Sequence, residues 1–106
     1  MPKYLVQASL TREGLEGTVK EGGTARRAAV AAAVESLGGT LESFNYAFGG
    51  VDVYAIAELP SNEAAAALAG TIGLSGKVSI NTTVLLTPEQ IDEAVKMTAN
   101  YRAPGA

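Results

Sequence analysis

Alternation of apolar and polar residues predicts four strands in this chain. Residues 3–10 alternate with a period of two, and residues 40–48 are rich in aromatic and β-forming side chains. Residues 51–59 are the clearest case, because every odd position is apolar and the even positions are mostly polar or amphipathic. Residues 77–86 complete the set. The Gly49-Gly50 pair between the second and third strands predicts a two-residue hairpin.

Apolar residues spaced three and four apart predict three helices. The first covers residues 25–37, with Thr24 as its N-cap. The second runs from a cap at residue 61 or 62 to about residue 73, and the third runs from residue 87 to about residue 98. Residues 11–23 contain four glycines and are predicted to be a loop, with room for one helical turn.

The predicted order is β-α-β-β-α-β followed by a C-terminal helix. This is the ferredoxin-like order of an α+β fold, in which two helices cover one face of a four-stranded antiparallel sheet. A chain of 106 residues has the length of one domain. We expect a single domain over residues 1–101 and a flexible tail over residues 102–106.

The alternation in the third strand also predicts which side chains each face of the sheet carries. The small apolar residues at odd positions suit close packing against alanine-rich helices. Asp52 and Tyr54 would then point to the uncovered face, and we expect Phe44 and Tyr46 of the second strand to join them there. An uncovered face that carries aromatic and aliphatic residues predicts a homodimer or a higher homo-oligomer.

Composition excludes several classes of chemistry. The chain has no Cys and no His, which rules out disulfides, a thiolate nucleophile, a Ser-His-Asp triad and metal or haem sites built on those residues. We therefore expect no cofactor and no transition metal, although a carboxylate site for Mg²⁺ or Ca²⁺ stays open. The formal net charge of −3 disfavours a nucleic-acid partner. No segment resembles a signal peptide or a membrane anchor, so a cytoplasmic location is expected.

A set of short motifs spread over nearly the whole chain resembles the GYD domain family. The matching segments are Gly38-Gly39-Thr40-Leu41, Phe44-Asn45-Tyr46-Ala47-Phe48-Gly49-Gly50-Val51-Asp52, Glu58-Leu59-Pro60, Gly76-Lys77-Val78 and Leu86-Thr87-Pro88-Glu89. The family is named after a Gly-Tyr-Asp motif, which Gly50 and Asp52 match, whereas Val51 stands in place of the tyrosine. The resemblance implies a dimeric α+β barrel paired through its sheets. It implies no reaction, because the function of the family is not established.

Asp52 is the first candidate site residue. If the uncovered face lines a cavity in a dimer, a desolvated carboxylate could act as a general base, and Tyr46 and Tyr54 could bind a ligand as hydrogen-bond donors. The alternative is structural: Asp52 lies beside the predicted hairpin and pairs with backbone N–H groups or a lysine, and the tyrosines are ordinary interface residues.

Two further segments carry charges in suggestive places. Residues 22–27, with Arg26 and Arg27 after a glycine pair, could hold an anion at a helix start, or could be a flexible loop with two solvated arginines. The acidic group Glu89, Asp92 and Glu93 complements a helix dipole, and a metal site there lacks an evident third ligand. In the tail, Tyr101 and Arg102 could dock against the domain.

Three functions remain open on this reasoning. The first is a homo-oligomeric module that binds a small, partly apolar molecule in a cavity between paired sheets. The second is a cofactor-free enzyme, an isomerase or a monooxygenase-like protein, using Asp52 and the tyrosines. The third is a purely structural or interaction protein. The absence of His counts against the enzyme, because His is the commonest acid–base group at neutral pH. The sequence leaves the ligand and the pathway open.

Overall fold

Four strands and four helices make up the fold in the computed structural model, which describes residues 1–106. In chain order the elements are β1 (Lys3–Leu10), α1 (Arg12–Glu21), α2 (Gly23–Ser36), β2 (Thr40–Tyr46), β3 (Val53–Glu58), α3 (Asn62–Leu74), β4 (Val78–Leu85) and α4 (Pro88–Ala94). The strands form one antiparallel sheet in the order β2-β3-β1-β4. The α+β class is confirmed, and this strand order is that of the ferredoxin-like arrangement.

The glycine-containing segment after β1 is a ten-residue helix and not the predicted loop. The Thr11 side chain caps it by accepting a hydrogen bond from the Gly14 amide at 3.2 Å. A Cβ atom on Gly14 would collide with the carbonyl oxygen of Lys77, so glycine is required there by the close approach of two backbones. The glycines of this segment therefore reflect packing, which the composition alone did not reveal.

Several element ends also differ from the prediction. β2 stops at Tyr46 and β3 starts at Val53, so residues 47–52 form a longer loop in place of a two-residue hairpin. The Ala47 amide donates to the carbonyl oxygen of Asp52 at 2.9 Å and closes this loop. At the other end of the chain, α4 stops at Ala94, earlier than the predicted end near residue 98.

A bulge in β2 reverses the expected placement of two aromatic rings. Leu41 pairs with Ala57 and Ser43 with Ile56, so Glu42 is an extra residue in the strand. Beyond the bulge Phe44 faces Ala55 and Tyr46 faces Val53. These two β3 residues are buried on the helix side of the sheet. The prediction that Phe44 and Tyr46 lie on the uncovered face is wrong, because one inserted residue moves every later side chain to the other face.

The buried apolar residues form two separate clusters. One joins the sheet to α2 and α3 and consists of Tyr4, Val34, Ala57, Leu59, Ala65 and Leu68. The other consists of Val6, Ala8, Val53 and Ala55, and the apolar residues packed around it also come from strands β2 and β4. One end of the sheet therefore packs directly against helices. The other end forms the floor of a space beneath α1.

The C-terminal segment extends away from the sheet. Every residue from Leu86 onward is exposed, and the radius of gyration of 16.9 Å exceeds the roughly 13 Å of a compact domain of this length. Within this segment Thr87 and Gln90 form a reciprocal capping box at the start of α4. No helix in the chain has the length and apolar character needed to cross a bilayer.

Candidate functional site

A cavity of about 300 Å³ lies between the sheet and the helices α1, α2 and α3. Its apolar walls include Val6, Ala8, Leu41, Phe44, Val53, Ala55, Ala57, Leu68, Ile72 and Ile80. The second buried cluster forms its floor, and the inner face of α1 forms part of its roof. Enclosure by apolar side chains with a few polar groups is typical of small-molecule sites.

The cavity exists because the face of α1 that lines it carries two glycines and a threonine. Gly14, Gly17, Thr18 and Glu21 line it, at the i, i+3, i+4 and i+7 spacing of one helical face. The apolar residues of the same helix, Leu15 and Val19, point outward and are 55% and 78% exposed. A Cβ atom on Gly17 would have one neighbour within 4 Å, Glu21 Oε1 at 3.9 Å. The space above Gly17 therefore belongs to the cavity.

Several polar side chains also line the cavity. Arg26 is the best placed of them, because its side chain is only 36% exposed and lines the cavity. Its Nη1 atom lies 3.7 Å from Oε1 of Glu21, which is close enough for an ion pair and too long for a hydrogen bond. The guanidinium group therefore keeps its N–H donors free for a further partner. Lys77, Glu13 and Ser75 also line the cavity.

Two aromatic rings form one wall. Phe44 and Tyr46 meet edge to face, with ring centroids 5.4 Å apart. The Tyr46 hydroxyl donates to the carbonyl oxygen of Gly23 at 3.3 Å, which ties the wall to the start of α2. The same two rings also line a shallower depression, together with Gly23, Thr24 and Arg27. The aromatic pair is therefore common to the cavity and this depression.

Asp52 lies outside the cavity and is bonded to the backbone. Its Oδ2 atom accepts a hydrogen bond from the Leu10 amide at 2.8 Å, and its own amide donates to the carbonyl oxygen of Ala8 at 2.9 Å. These bonds attach the loop between β2 and β3 to the end of β1. The geometry corresponds to the structural alternative considered above, in which Asp52 pairs with backbone N–H groups.

The sheet separates the two candidate tyrosines. Tyr54 is paired with Gln7 and Asn45 and lies on the uncovered face, where it is 42% exposed. Tyr46 lies on the helix side and lines the cavity. Of the three predicted site residues, only Tyr46 borders this cavity, so they do not form one constellation.

Of the remaining charged candidates, one lies at the cavity and the others lie elsewhere on the surface. Arg26 borders the cavity, whereas Arg27 is exposed beside the shallow depression. In α4 the acidic side chains are exposed, and Glu93 pairs with Lys96 at 3.1 Å. No group of three or more Asp or Glu residues is placed to hold a metal ion. Tyr101 in the tail is 75% exposed.

Sequence reasoning missed the glycine face of α1 and the arginine beside it. The signal was present: the capping threonine at position 11 and the spacing of residues 14, 17, 18 and 21 are those of a helix with one small face. It was obscured because glycine is ordinarily a loop residue.

Comparison with known proteins agrees with the motifs in the sequence. None of the curated protein sequences matches this chain. The sequence model of the GYD domain family matches residues 4–95, which include all four helices and all of the strands except the first residue of β1. The chain therefore belongs to the GYD domain family.

Proposed function

We propose that this protein is a binding module for a small, mostly apolar molecule, which occupies the cavity between the sheet and α1. The observation that carries the proposal is the roof of the cavity. Gly14 and Gly17 have no side chain and Thr18 has a small one, while Leu15 and Val19 are exposed. A helix that only completed a core would bury its large apolar residues.

The energetics favour an apolar ligand of modest size. A volume of about 300 Å³ lies at the lower end of the range for ligand pockets. Filling apolar space contributes about 24 cal/mol per Å³, which sets an upper limit of about 7 kcal/mol for this cavity before the costs of association. A ligand with this gain would also stabilise the folded chain by mass action.

One end of the ligand is anionic or a strong hydrogen-bond acceptor. Arg26 is a cationic side chain with free N–H donors, and only a 3.7 Å ion pair holds it to Glu21. A ligand carboxylate or phenolate reaching Arg26 would gain a charge-assisted hydrogen bond that Glu21 does not make. The apolar body of the ligand would then lie on the floor residues Val53 and Ala55.

Binding is favoured over catalysis by the state of the candidate acid–base groups. The Tyr46 hydroxyl is engaged with the Gly23 carbonyl, and the Asp52 carboxylate with the Leu10 amide. The proposal also relocates the site. The sequence placed it between paired sheets, whereas the cavity described here lies on the opposite side of the sheet, within one chain.

A cavity-filling variant tests the proposal with defined probes. The environment-sensitive dyes anilinonaphthalene sulfonate, which is anionic, and Nile red, which is neutral, would be titrated into wild-type protein and the Gly17→Leu variant. The leucine side chain enters the cavity, so we expect at least a tenfold loss of affinity for both dyes. Gly70→Leu is the matched control, because Gly70 is exposed in α3 and an added Cβ there meets nothing within 4 Å.

Both variants should retain the wild-type circular dichroism spectrum, since leucine is a better helix former than glycine. Equal dye affinity in the wild type and in Gly17→Leu would refute binding in this cavity. Failure of the wild type to bind either dye would leave the structural or interaction role as the better explanation.

A further inference from the structure

A second cationic residue lines the cavity at a distance from Arg26. Lys77 is the last residue before β4, and it is exposed while also lining the cavity. Its ammonium group takes part in none of the ion pairs of the structure. The positive charge of Lys77 is therefore available to a ligand.

Hydrogen bonds fix the backbone of Lys77 against the start of α1. Its carbonyl oxygen accepts from the amide and from the hydroxyl group of Thr11, both at 3.0 Å. Its amide donates to Oγ of Ser75 at 3.2 Å. The glycine at position 14 permits this close approach, because a Cβ atom on Gly14 would collide with the same carbonyl oxygen. The lysine side chain therefore starts from a fixed point beside the roof of the cavity.

The two cations lie at opposite ends of α1 and toward opposite edges of the sheet. Lys77 approaches α1 at Gly14, and Arg26 pairs with Glu21. Along the helix axis Gly14 and Glu21 are about 10 Å apart. Across the sheet, β4 is three strand spacings, or about 14 Å, from β2, whose Tyr46 is bonded to the start of α2. The strands between these edges, β3 and β1, carry the apolar floor of the cavity.

Glu13 also lines the cavity at the Lys77 end, and it carries the opposite charge. It lies in the first turn of α1, where a carboxylate complements the positive end of the helix dipole. Glu13 and Lys77 do not pair with each other. The helix thus already stabilises the charge of Glu13, whereas the charge of Lys77 has no partner. An anionic group is therefore the ligand group favoured at this end.

We infer that the ligand is an elongated dianion of the α,ω-dicarboxylate class, with an apolar chain between two anionic ends. The inference rests on the proposed binding role of the cavity, and it adds Lys77 as a second specificity-determining residue. One carboxylate binds to Arg26, the other binds to Lys77, and the apolar chain lies on the floor between them. The span of about 10–14 Å sets the distance between the two anionic groups.

Isothermal titration calorimetry with decanedioate and decanoate tests the second anchor, because the two acids have the same chain length and decanoate lacks one carboxylate. Wild-type protein should bind decanedioate about three- to tenfold more tightly than decanoate. Lys77→Gln should abolish this preference by weakening decanedioate alone. Glu13→Gln should strengthen decanedioate binding, because a like charge is removed. Lys20→Gln is the matched control and should keep the preference, since Lys20 lies in α1 but does not line the cavity.

Equal affinity of the wild type for the two acids would overturn the inference and leave the proposed function standing. An equal loss for both acids in Lys77→Gln would also overturn it, because the lysine would then shape the cavity without binding a second charge. If neither acid binds while Nile red does, the dianion is excluded and the binding role stands. If neither acid and neither dye binds, the proposed function fails as well. Circular dichroism confirms that each variant is folded.

Discussion

The Asp52 carboxylate accepts a hydrogen bond from the backbone amide of Leu10, with 2.8 Å between Oδ2 and the amide nitrogen. The bond crosses from the loop after β2 to the last residue of β1. Asp52, the first candidate site residue in the sequence, therefore has a structural role, because it attaches the loop between β2 and β3 to the end of β1.

Removing this carboxylate should therefore affect stability and not binding. We expect Asp52→Ala to lower the free energy of unfolding by about 1–3 kcal/mol, because a charged acceptor is lost and the Leu10 amide is left without its partner. Dye affinity in the cavity should remain within twofold of wild type. Urea denaturation measures the first quantity, and Asp92→Ala in exposed α4 is the control. A large loss of dye binding with unchanged stability would instead assign Asp52 to the site.

Two glycines of α1 should respond to alanine with opposite signs. A Cβ atom on Gly14 collides with the Lys77 carbonyl, so Gly14→Ala should destabilise the protein by about 1–3 kcal/mol. Gly17 has open space above it, so Gly17→Ala should stabilise the protein by about 0.5–1 kcal/mol through helix propensity. Thermal or urea unfolding of both variants and of the wild type measures the two changes in stability. Destabilisation by both would mean that the Gly17 side of α1 is packed and not open.

Arg26 should distinguish anionic from neutral ligands. We expect Arg26→Gln to weaken the anionic sulfonate dye by five- to twentyfold, or about 1–2 kcal/mol, because a charge-assisted hydrogen bond is lost. The affinity for neutral Nile red should change less than twofold. Arg27→Gln is the control, since Arg27 borders the shallow depression and not the cavity. An equal loss for both dyes in Arg26→Gln would mean that the arginine shapes the cavity without selecting charge.

Lys3 should make the stability of the sheet sensitive to alkaline pH. Its ammonium group donates to Glu42 at 3.2 Å, and this bond, with the charges of Glu42 and Glu58, raises the pKa of Lys3 above its ordinary value of 10.5. The folded state then binds the proton more tightly than the unfolded chain. The stabilisation is fully present below pH 10.5 and is lost as the pH rises through the raised pKa of the folded state.

The advantage of wild type over Lys3→Gln in urea unfolding should therefore be constant at neutral pH and should disappear at strongly alkaline pH. Lys20→Gln is the control, because Lys20 lies in the last turn of α1 outside the ion pairs of the structure. A difference between wild type and Lys3→Gln that persists unchanged above the raised pKa would show that the ammonium charge is not its source.

Most of the fold could be predicted from periodicity, and the errors have local causes. The buried odd positions of β3 gave the correct face for Val53 and Ala55, since a strand without a bulge keeps its alternation. The same rule failed for Phe44 and Tyr46, because Glu42 occupies an extra place in β2 that no pattern of apolar residues reveals. The error spread directly to the site, since it placed Tyr46 beside Tyr54.

The cavity could not be predicted for a different reason. Its walls come from residues that periodicity identifies as core, such as Val6 and Ala8, and core residues ordinarily meet side chains from the opposing layer. Whether they do depends on the size of the side chains on that layer. In this protein the opposing layer carries Gly17, which has no side chain to fill the space. The glycine-rich composition around it predicted a loop and not a helix.

Two glycines in the roof of the cavity are constrained in different ways. One is required by the fold, and the other determines the size of the cavity. At position 14 the carbonyl oxygen of Lys77, the residue before β4, leaves no room for a Cβ atom, so the fold itself requires glycine there. At position 17 a Cβ atom would meet only Oε1 of Glu21 within 4 Å, so the backbone there accepts a side chain, whose size would set how much of the 300 Å³ remains. Under the proposed binding role, one substitution at position 17 would change the size of the molecule that the cavity accepts, without a compensating change in the sheet.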